Sequence, residues 1–270
     1  MNFTWRDAKV FITGINGFVG GNVAKKLVEL GADVYGLIRT KKQNSYLYYE
    51  KIYKNISLID GEISNINLLN RLISEEQINV IFHMAAQVEV GIGLINPFLT
   101  FETNVRGTYT LLESARLYPD SVKSIIVASS DKSYGEYPHE KMPYKEDYPL
   151  LPKFPYDTSK ACANMITQSY TSGVRSLPIV VTRFSNIYGP GQLNFSALIP
   201  DGIRSASVYS KFFPRGDGSM MRDFLYIKDV VELYISIAGF LANNKKTISG
   251  QIFNAGSDTP KTVKEILEII

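Results

Sequence analysis

Short apolar runs rich in Val, Ile and Phe recur along the chain, and most are followed by a stretch with helical spacing. Lys9-Val10-Phe11-Ile12-Thr13 precedes an amphipathic segment over residues 23–30, and Asp33-Val34-Tyr35-Gly36-Leu37-Ile38 forms the second run. Residues 55–59 precede a helical pattern at 66–76, and residues 79–83 precede a helix expected from Asn96-Pro97 to Leu117, with Pro97 in the first turn where its missing N–H costs least. Ser124-Ile125-Ile126-Val127-Ala128 and residues 178–184 complete the series. Strands that are apolar along their whole length, rather than at alternate positions, are covered on both faces; alternating with helices, they predict an α/β fold with a doubly wound parallel sheet.

Beyond Gly191 the rhythm breaks. Ile199-Pro200-Asp201 leads into a helix, residues 221–227 follow, and a helix is expected over 229–241, which together predict a smaller C-terminal α/β lobe. The expected division is residues 1–190 for the sheet domain and 191–270 for the lobe. Between them, residues 135–155 are polar and carry Pro138, Pro143, Pro149, Pro152 and Pro155, the composition of a long functional loop.

Composition narrows the function classes. The 270 residues are 45% apolar and 20% charged, with a formal net charge of +3 and no basic block longer than a few residues. Neither a nucleic-acid surface nor a polybasic membrane patch is expected. Cys162 is the only cysteine, which rules out an intramolecular disulfide and makes a packing role on its helix the simplest reading. The chain starts without a long apolar leader and has no run near the ~18 apolar residues that a bilayer span needs, so a cytoplasmic protein is expected. His83 and His139 are the only histidines and have no acidic cluster beside them, so no metal site is expected.

Candidate chemistry begins directly after the first run. Gly14, Gly17 and Gly20, with Asn16 and Phe18 between them, link a strand to a helix; such a turn brings backbone N–H groups and a positive helix end to a pyrophosphate. This predicts a dinucleotide site. Where the second strand ends, an acid would hold a ribose 2′-hydroxyl; this chain instead has Arg39, which suits a 2′-phosphate and points to NADP, although an exposed turn is also consistent. Glu62 and Ile63, after the third strand, are expected on the adenine side. Ala85, Ala86 and Gln87, after the fourth, have side chains small enough at the alanines for a cofactor to lie close to the backbone. His83 below that turn reads as a structural hydrogen-bonder, and Asn104 is open between a bond to nearby backbone and a site role.

The fifth strand delivers Ser130, Asp131 and Lys132 to the carboxyl edge of the sheet, where open α/β sheets bind ligands. Tyr156 and Lys160 are four residues apart and share one helix face. A cation beside the phenol is expected to lower the Tyr pKa towards working pH.

Gly14-x-x-Gly17-x-x-Gly20, His83-Met84-Ala85-Ala86-Gln87, Tyr156-x-x-x-Lys160, residues 183–190 and Arg222-Asp223 together resemble the extended short-chain dehydrogenase/reductase superfamily over nearly the whole chain. That resemblance implies a Rossmann domain for NAD(P), a C-terminal nucleotide-sugar lobe, and a homodimer joined through a four-helix bundle. It also implies that Ser130, Tyr156 and Lys160 form the catalytic core, and that Asn186 and Arg222, with Ser130, contact a nucleotide sugar. Ser130-Asp131-Lys132 is similar to the triplet of nucleotide-sugar 4,6-dehydratases, particularly the CDP-glucose 4,6-dehydratase group, which mostly suggests NAD and a place in polysaccharide biosynthesis. Eliminating water across C5 and C6 needs a base for the C5 proton and an acid for the leaving hydroxyl, beyond what oxidation at C4 requires.

Three departures from the pattern matter. No acid lies near Arg39; Gly91-Ile92-Gly93 stands where relatives often carry an Arg; and the chain stops at Ile270, which suggests an incomplete lobe or an unusually short protein. Two alternatives to the dehydratase remain: a nucleotide-sugar 4-epimerase, which needs no acid at position 131, and a non-catalytic NAD(P)-binding sensor.

Overall fold

The computed structural model describes residues 2–214 and 216–270, leaving Met1 and Arg215 outside the described residues. The first half forms β1 (Lys9–Thr13), α1 (Phe18–Glu29), β2 (Asp33–Ile38), α2 (Tyr46–Tyr49), β3 (Ser57–Asp60), α3 (Ile66–Glu75), β4 (Val80–His83), α4 (Val90–Ile95), α5 (Pro97–Phe101), α6 (Gly107–Arg116) and β5 (Ser124–Ala128). The second half forms α7 (Pro155–Ser169), β6 (Ile179–Phe184), β7 (Asn186–Tyr188), α8 (Leu198–Ser207), β8 (Met221–Arg222), β9 (Phe224–Tyr226), α9 (Ile227–Asn243), α10 (Lys245–Ile248), β10 (Ile252–Ala255), β11 (Lys261–Thr262) and α11 (Val263–Ile269).

Seven strands make one parallel sheet in the order β10-β6-β5-β4-β1-β2-β3. The order reverses between β1 and β4, so the crevice beyond their carboxyl ends is the natural ligand site of this topology. Alternation along the strands sends Val10 and Ile12 to one face and Phe11 to the other. On the first face, Val10, Ile12, Phe82, Ile126 and Val180 pack with Val23 and Leu27 of α1 and with Val230 and Tyr234 of α9. On the second, Phe11, Ile81, Ile125 and Val181 pack with Leu69 and Leu72 of α3 and with Leu111 of α6. Each such side chain, fully buried, contributes about 1.5–3 kcal/mol, and burial on both faces is why these strands are apolar without alternation.

The expected boundary at residue 190 is crossed twice. Helix α9 completes the first core, and β10 joins the large sheet beside β6. What remains outside that body is the segment from α8 to β9 together with β11 and α11, tied together by two short ribbons, β7 with β9 and β8 with β11. The helix expected from residue 96 to 117 is divided: α5 and α6 are separated by a π-helical turn, Glu102–Arg106, a widening often found at functional sites.

Candidate active site

The glycine turn is built for close approach. Gly14 has φ +73°, and a Cβ there would lie 2.7 Å from the backbone of Met84 and Ala85. A Cβ on Gly20 would lie within 2.4 Å of the Gly14 carbonyl, so helix and turn touch through glycine alone. Gly17 is the N-cap of α1 and is exposed, with no side chain bonded to the first helical N–H groups, which leaves them free for an anion. Asn16 donates from Nδ2 to the Thr40 carbonyl at 2.9 Å, while its buried Oδ1 has no partner and awaits a donor. Arg39 is exposed just past β2, beside this turn. These groups fit a dinucleotide.

The other expected cofactor residues divide. Ala85, Ala86 and Gln87 are half-buried along the crevice, and Glu62 is exposed. Ile63 is buried in the second core, where a Cβ on Gly107 would meet it at 2.7 Å, so it packs beneath the site instead of facing it. Asn104 is buried with its carboxamide fully engaged by protein groups: it accepts from Gln87 N–H at 2.7 Å and donates to the Gln87 carbonyl at 3.0 Å and to Ser159 Oγ at 2.8 Å. It holds the Gln87 turn against α7.

At the end of β5, Ser130 caps a 3-10 turn, Asp131–Tyr134, accepting from Lys132 N–H at 3.2 Å. The Ser130 hydroxyl donates to Asp131 Oδ1 at 3.0 Å, and Lys132 Nζ lies 3.4 Å from Asp131 Oδ2. Hydroxyl, carboxylate and ammonium are thus linked within three consecutive residues, all half-exposed to the crevice. Helix α7 packs against this turn and brings Tyr156, only 9% exposed, to the same place.

The electrostatics correct one expectation. Burial pushes the Tyr156 phenol well above its ordinary range; the Ser130 hydroxyl pulls it down, and Asp131 and Asp157 push it further up. Lys160 does not offset this, because its Nζ donates to the Ala128 carbonyl at 2.8 Å and burial lowers its own pKa to about 8. The protein alone therefore keeps the phenol protonated. Desolvation outweighs the expected cation effect.

Sequence reasoning missed Asp157 and Tyr144. Burial raises the Asp157 pKa, Lys132 opposes this, and Asp131 and Glu136 add to it, so a second carboxyl acts on the Asp131–Lys132 pair. Burial raises the Tyr144 phenol too, while the charges of Asp131 and Arg222 act on it from either side. The only signal for Asp157 was its place next to Tyr156; the 135–155 stretch gave none for Tyr144. That stretch holds one short 3-10 turn, His139–Lys141, and a single bridge between Gly135 and Leu151. Tyr144 stacks on Tyr134 at 4.7 Å, Arg183 lies over Tyr134 at 4.6 Å, and Asn254 accepts from the Tyr134 hydroxyl at 2.8 Å.

Of the two expected substrate residues, Arg222 is half-buried near Tyr144 and donates to the Met221 carbonyl at 3.1 Å and to Met220 Sδ. Asn186 donates through Nδ2 to the Asp223 carbonyl at 3.0 Å. Asp223 in turn accepts from Ser257 N–H at 2.8 Å, joining the lobe to the end of β10. Among the described residues, no group of three His, Cys, Asp or Glu could hold a metal ion, and no helix is long and apolar enough to cross a membrane.

A Rossmann sheet with a glycine turn at its switch point, and a Ser, Tyr and Lys set at its carboxyl edge, defines the extended short-chain dehydrogenase/reductase class. Residues 11–268 match the GDP-mannose 4,6 dehydratase family, and the chain belongs to it. It is 33% identical over 237 residues to the trifunctional UDP-glucose 4,6-dehydratase/UDP-4-keto-6-deoxy-D-glucose 3,5-epimerase/UDP-4-keto-L-rhamnose-reductase of Arabidopsis thaliana. That match covers 86% of this chain and 35% of the relative, so the chain spans about a third of the plant protein's length. Among solved structures, dTDP-glucose 4,6-dehydratase from Bacillus anthracis in complex with NAD superposes with TM-score 0.83 at 30% identity, covering 97% of this chain and 79% of that one. UDP-glucose 4-epimerase from Thermotoga maritima with UDP-glucose gives TM-score 0.85 at 26% identity, covering 97% and 81%.

Proposed function

We propose that this protein is a cytosolic nucleotide-sugar 4,6-dehydratase that converts a nucleotide hexose to its 4-keto-6-deoxy form. The observation that carries this reading is the linked set Ser130, Asp131 and Lys132 on one turn facing Tyr156. A dinucleotide held by the turn of Gly14, Gly17 and Gly20 would supply the hydride acceptor for C4 and the hydride donor for C6. Tyr156, once deprotonated to the phenolate that burial disfavours at rest, takes the 4-hydroxyl proton with Ser130 polarising that oxygen. Passing one proton from the Lys132 ammonium to Asp131 across their ion pair leaves an amine and a carboxylic acid; the ketone acidifies C5–H, and Lys132, or a group it positions, removes that proton. Asp131 protonates the departing C6 hydroxyl, so one water leaves. The Lys132 ammonium exchanges with solvent and delivers a solvent-derived proton to C5, and the proton held on Tyr156 passes through solvent to Asp131, restoring the starting state. The Asn186 and Arg222 side of the crevice holds the nucleotide sugar.

This reading is tested by incubating the protein with CDP-, dTDP-, GDP- and UDP-hexoses and seeking a product lighter by one water. A 4-epimerase is the second reading, supported by the likeness to the Thermotoga maritima structure; it requires Ser130, Tyr156 and Lys160 but no acid at position 131, and its product keeps the substrate mass.

The cofactor reading rests on Arg39. With no acid at the end of β2, NADP is expected to bind more tightly than NAD, and Arg39→Ala to weaken NADP about tenfold while sparing NAD, the size of one charge-assisted hydrogen bond. Titration of both dinucleotides checks this; equal affinities or a preference for NAD would refute it. A homodimer is proposed from the apolar side chains left exposed on α5, α6 and α7, among them Phe98, Tyr109 and Met165.

A further inference from the structure

We propose that His83, fixed as its neutral Nε2–H tautomer, is a positioning residue that couples the dinucleotide turn to the first turn of the catalytic helix. β1 ends on Thr13 and β4 on His83, which are paired across the sheet. Thr13 Oγ1 accepts from the N–H groups of Met84 and Ala85, both at 3.1 Å, and lies 2.8 Å from His83 Nδ1. With both acceptor positions filled, the hydroxyl has only its proton to offer, so Nδ1 must accept. On the other side, Nε2 lies 2.9 Å from Thr108 Oγ1, whose single proton goes to the Asn104 carbonyl at 2.6 Å. Nε2 must therefore donate. The partners leave one tautomer and no room for a second ring proton.

Burial keeps the imidazole neutral by lowering its pKa to about 3, and the positive charge of Lys160 acts in the same direction. From Asn104 the chain of bonds continues. Its Nδ2 donates to Ser159 Oγ at 2.8 Å, and Ser159 Oγ donates to the Tyr156 carbonyl at 2.7 Å. Thr13, His83, Asn104, Thr108 and Ser159 are all at most 3% exposed. Backbone N–H groups at one end belong to the turn that lines the crevice, and the carbonyl at the other belongs to Tyr156. A ligand that shifts the first is felt by the second through this chain, which acts beside the direct bonds between Gln87 and Asn104.

The role in turnover rests on the dehydratase reading, but the relay itself does not, and the test separates them. The chain has only His83 and His139, so 15N-histidine labelling resolves the buried ring. The wild type should show one ring locked as neutral Nε2–H, and NADP or NAD should shift the Tyr156 and Ser159 amide signals. Thr108→Val should release the tautomer and at least halve that shift, the remainder passing through the direct bonds between Gln87 and Asn104. It should also lower kcat about tenfold or more with KM for the nucleotide sugar nearly unchanged, the pattern of a transition-state effect; Thr108→Ser should restore all three. If Thr108→Val does not fold, Ser159→Ala, which removes the last two links and leaves both bonds of His83 in place, should keep the tautomer and lose the amide response. A buried ring that exchanges tautomers or is charged near neutrality, or a Thr108→Val or Ser159→Ala protein with wild-type amide response, overturns the proposal. A wild type that turns over no nucleotide sugar defeats the dehydratase reading, while tautomer and amide response still decide the relay.

Discussion

Tyr156→Phe is expected to abolish turnover, by a factor of 10³ or more, while dinucleotide affinity stays within about twofold of wild type. The magnitude follows from losing the proposed base for the 4-hydroxyl proton, since general-base contributions run from about 10² to 10⁴. The ring itself is buried and only the phenolic oxygen is removed, so packing at the start of α7 is preserved. The wild-type pH profile carries a linked expectation. Because burial raises the phenol pKa and Lys160 is turned to the Ala128 carbonyl, turnover should increase as pH rises from neutral, reporting formation of the phenolate. Retention of a tenth of the wild-type rate in Tyr156→Phe, or activity that falls across the alkaline side, would remove Tyr156 from the role of base.

Asp131→Asn is expected to stop the reaction halfway. The amide keeps the shape of the carboxylate and can still accept from the Ser130 hydroxyl, so oxidation at C4 should proceed. It cannot supply a proton to the C6 hydroxyl, so elimination should slow by about 10²–10⁴, equivalent to about 3–5 kcal/mol on that step. Hydride would then be held on the cofactor, visible as reduced-dinucleotide absorbance near ~340 nm after substrate is added, following the assignment of Asp131 as general acid. A variant that turns over normally, or one that fails to oxidise C4, would contradict that assignment.

Much of this architecture was readable because it is set by local rules. β1, β2 and β5 occupy the residues expected of them, since each is a mostly apolar run buried on both faces and ended by glycine, polar or turn residues. The glycine turn was readable from its place between a strand and a helix, whereas Ser130, Tyr156 and Lys160 were marked out together by the resemblance to the extended short-chain dehydrogenase/reductase superfamily. β10 was not, because Ile252–Ala255 is a short, half-buried edge strand whose pairing with β6 is decided across some seventy residues. Nor was the π-turn, since an apolar period near 3.6 continues through residues 102–106 unchanged. Thr13, Thr108 and Ser159 read as ordinary small polar residues until the fold sets them in line. The Tyr156 expectation failed on a tertiary quantity, burial of the phenol, which spacing to Lys160 does not contain.

The same distinction explains the C-terminal lobe. Its two-stranded ribbons pair residues far apart in the chain, Arg222 with Lys261 and Asn186 with Phe224. Loop-closure entropy opposes such contacts until the sheet domain brings the segments together. No periodic signal marks them beforehand.

Turnover in deuterium oxide tests the central claim most directly. Elimination across C5 and C6 requires the C5 proton to leave and a solvent-derived one to return, so the product should be lighter by one water than the substrate and carry one deuterium at C5. A product of unchanged mass, or one without deuterium on C5, would contradict the dehydratase account and favour epimerisation at C4.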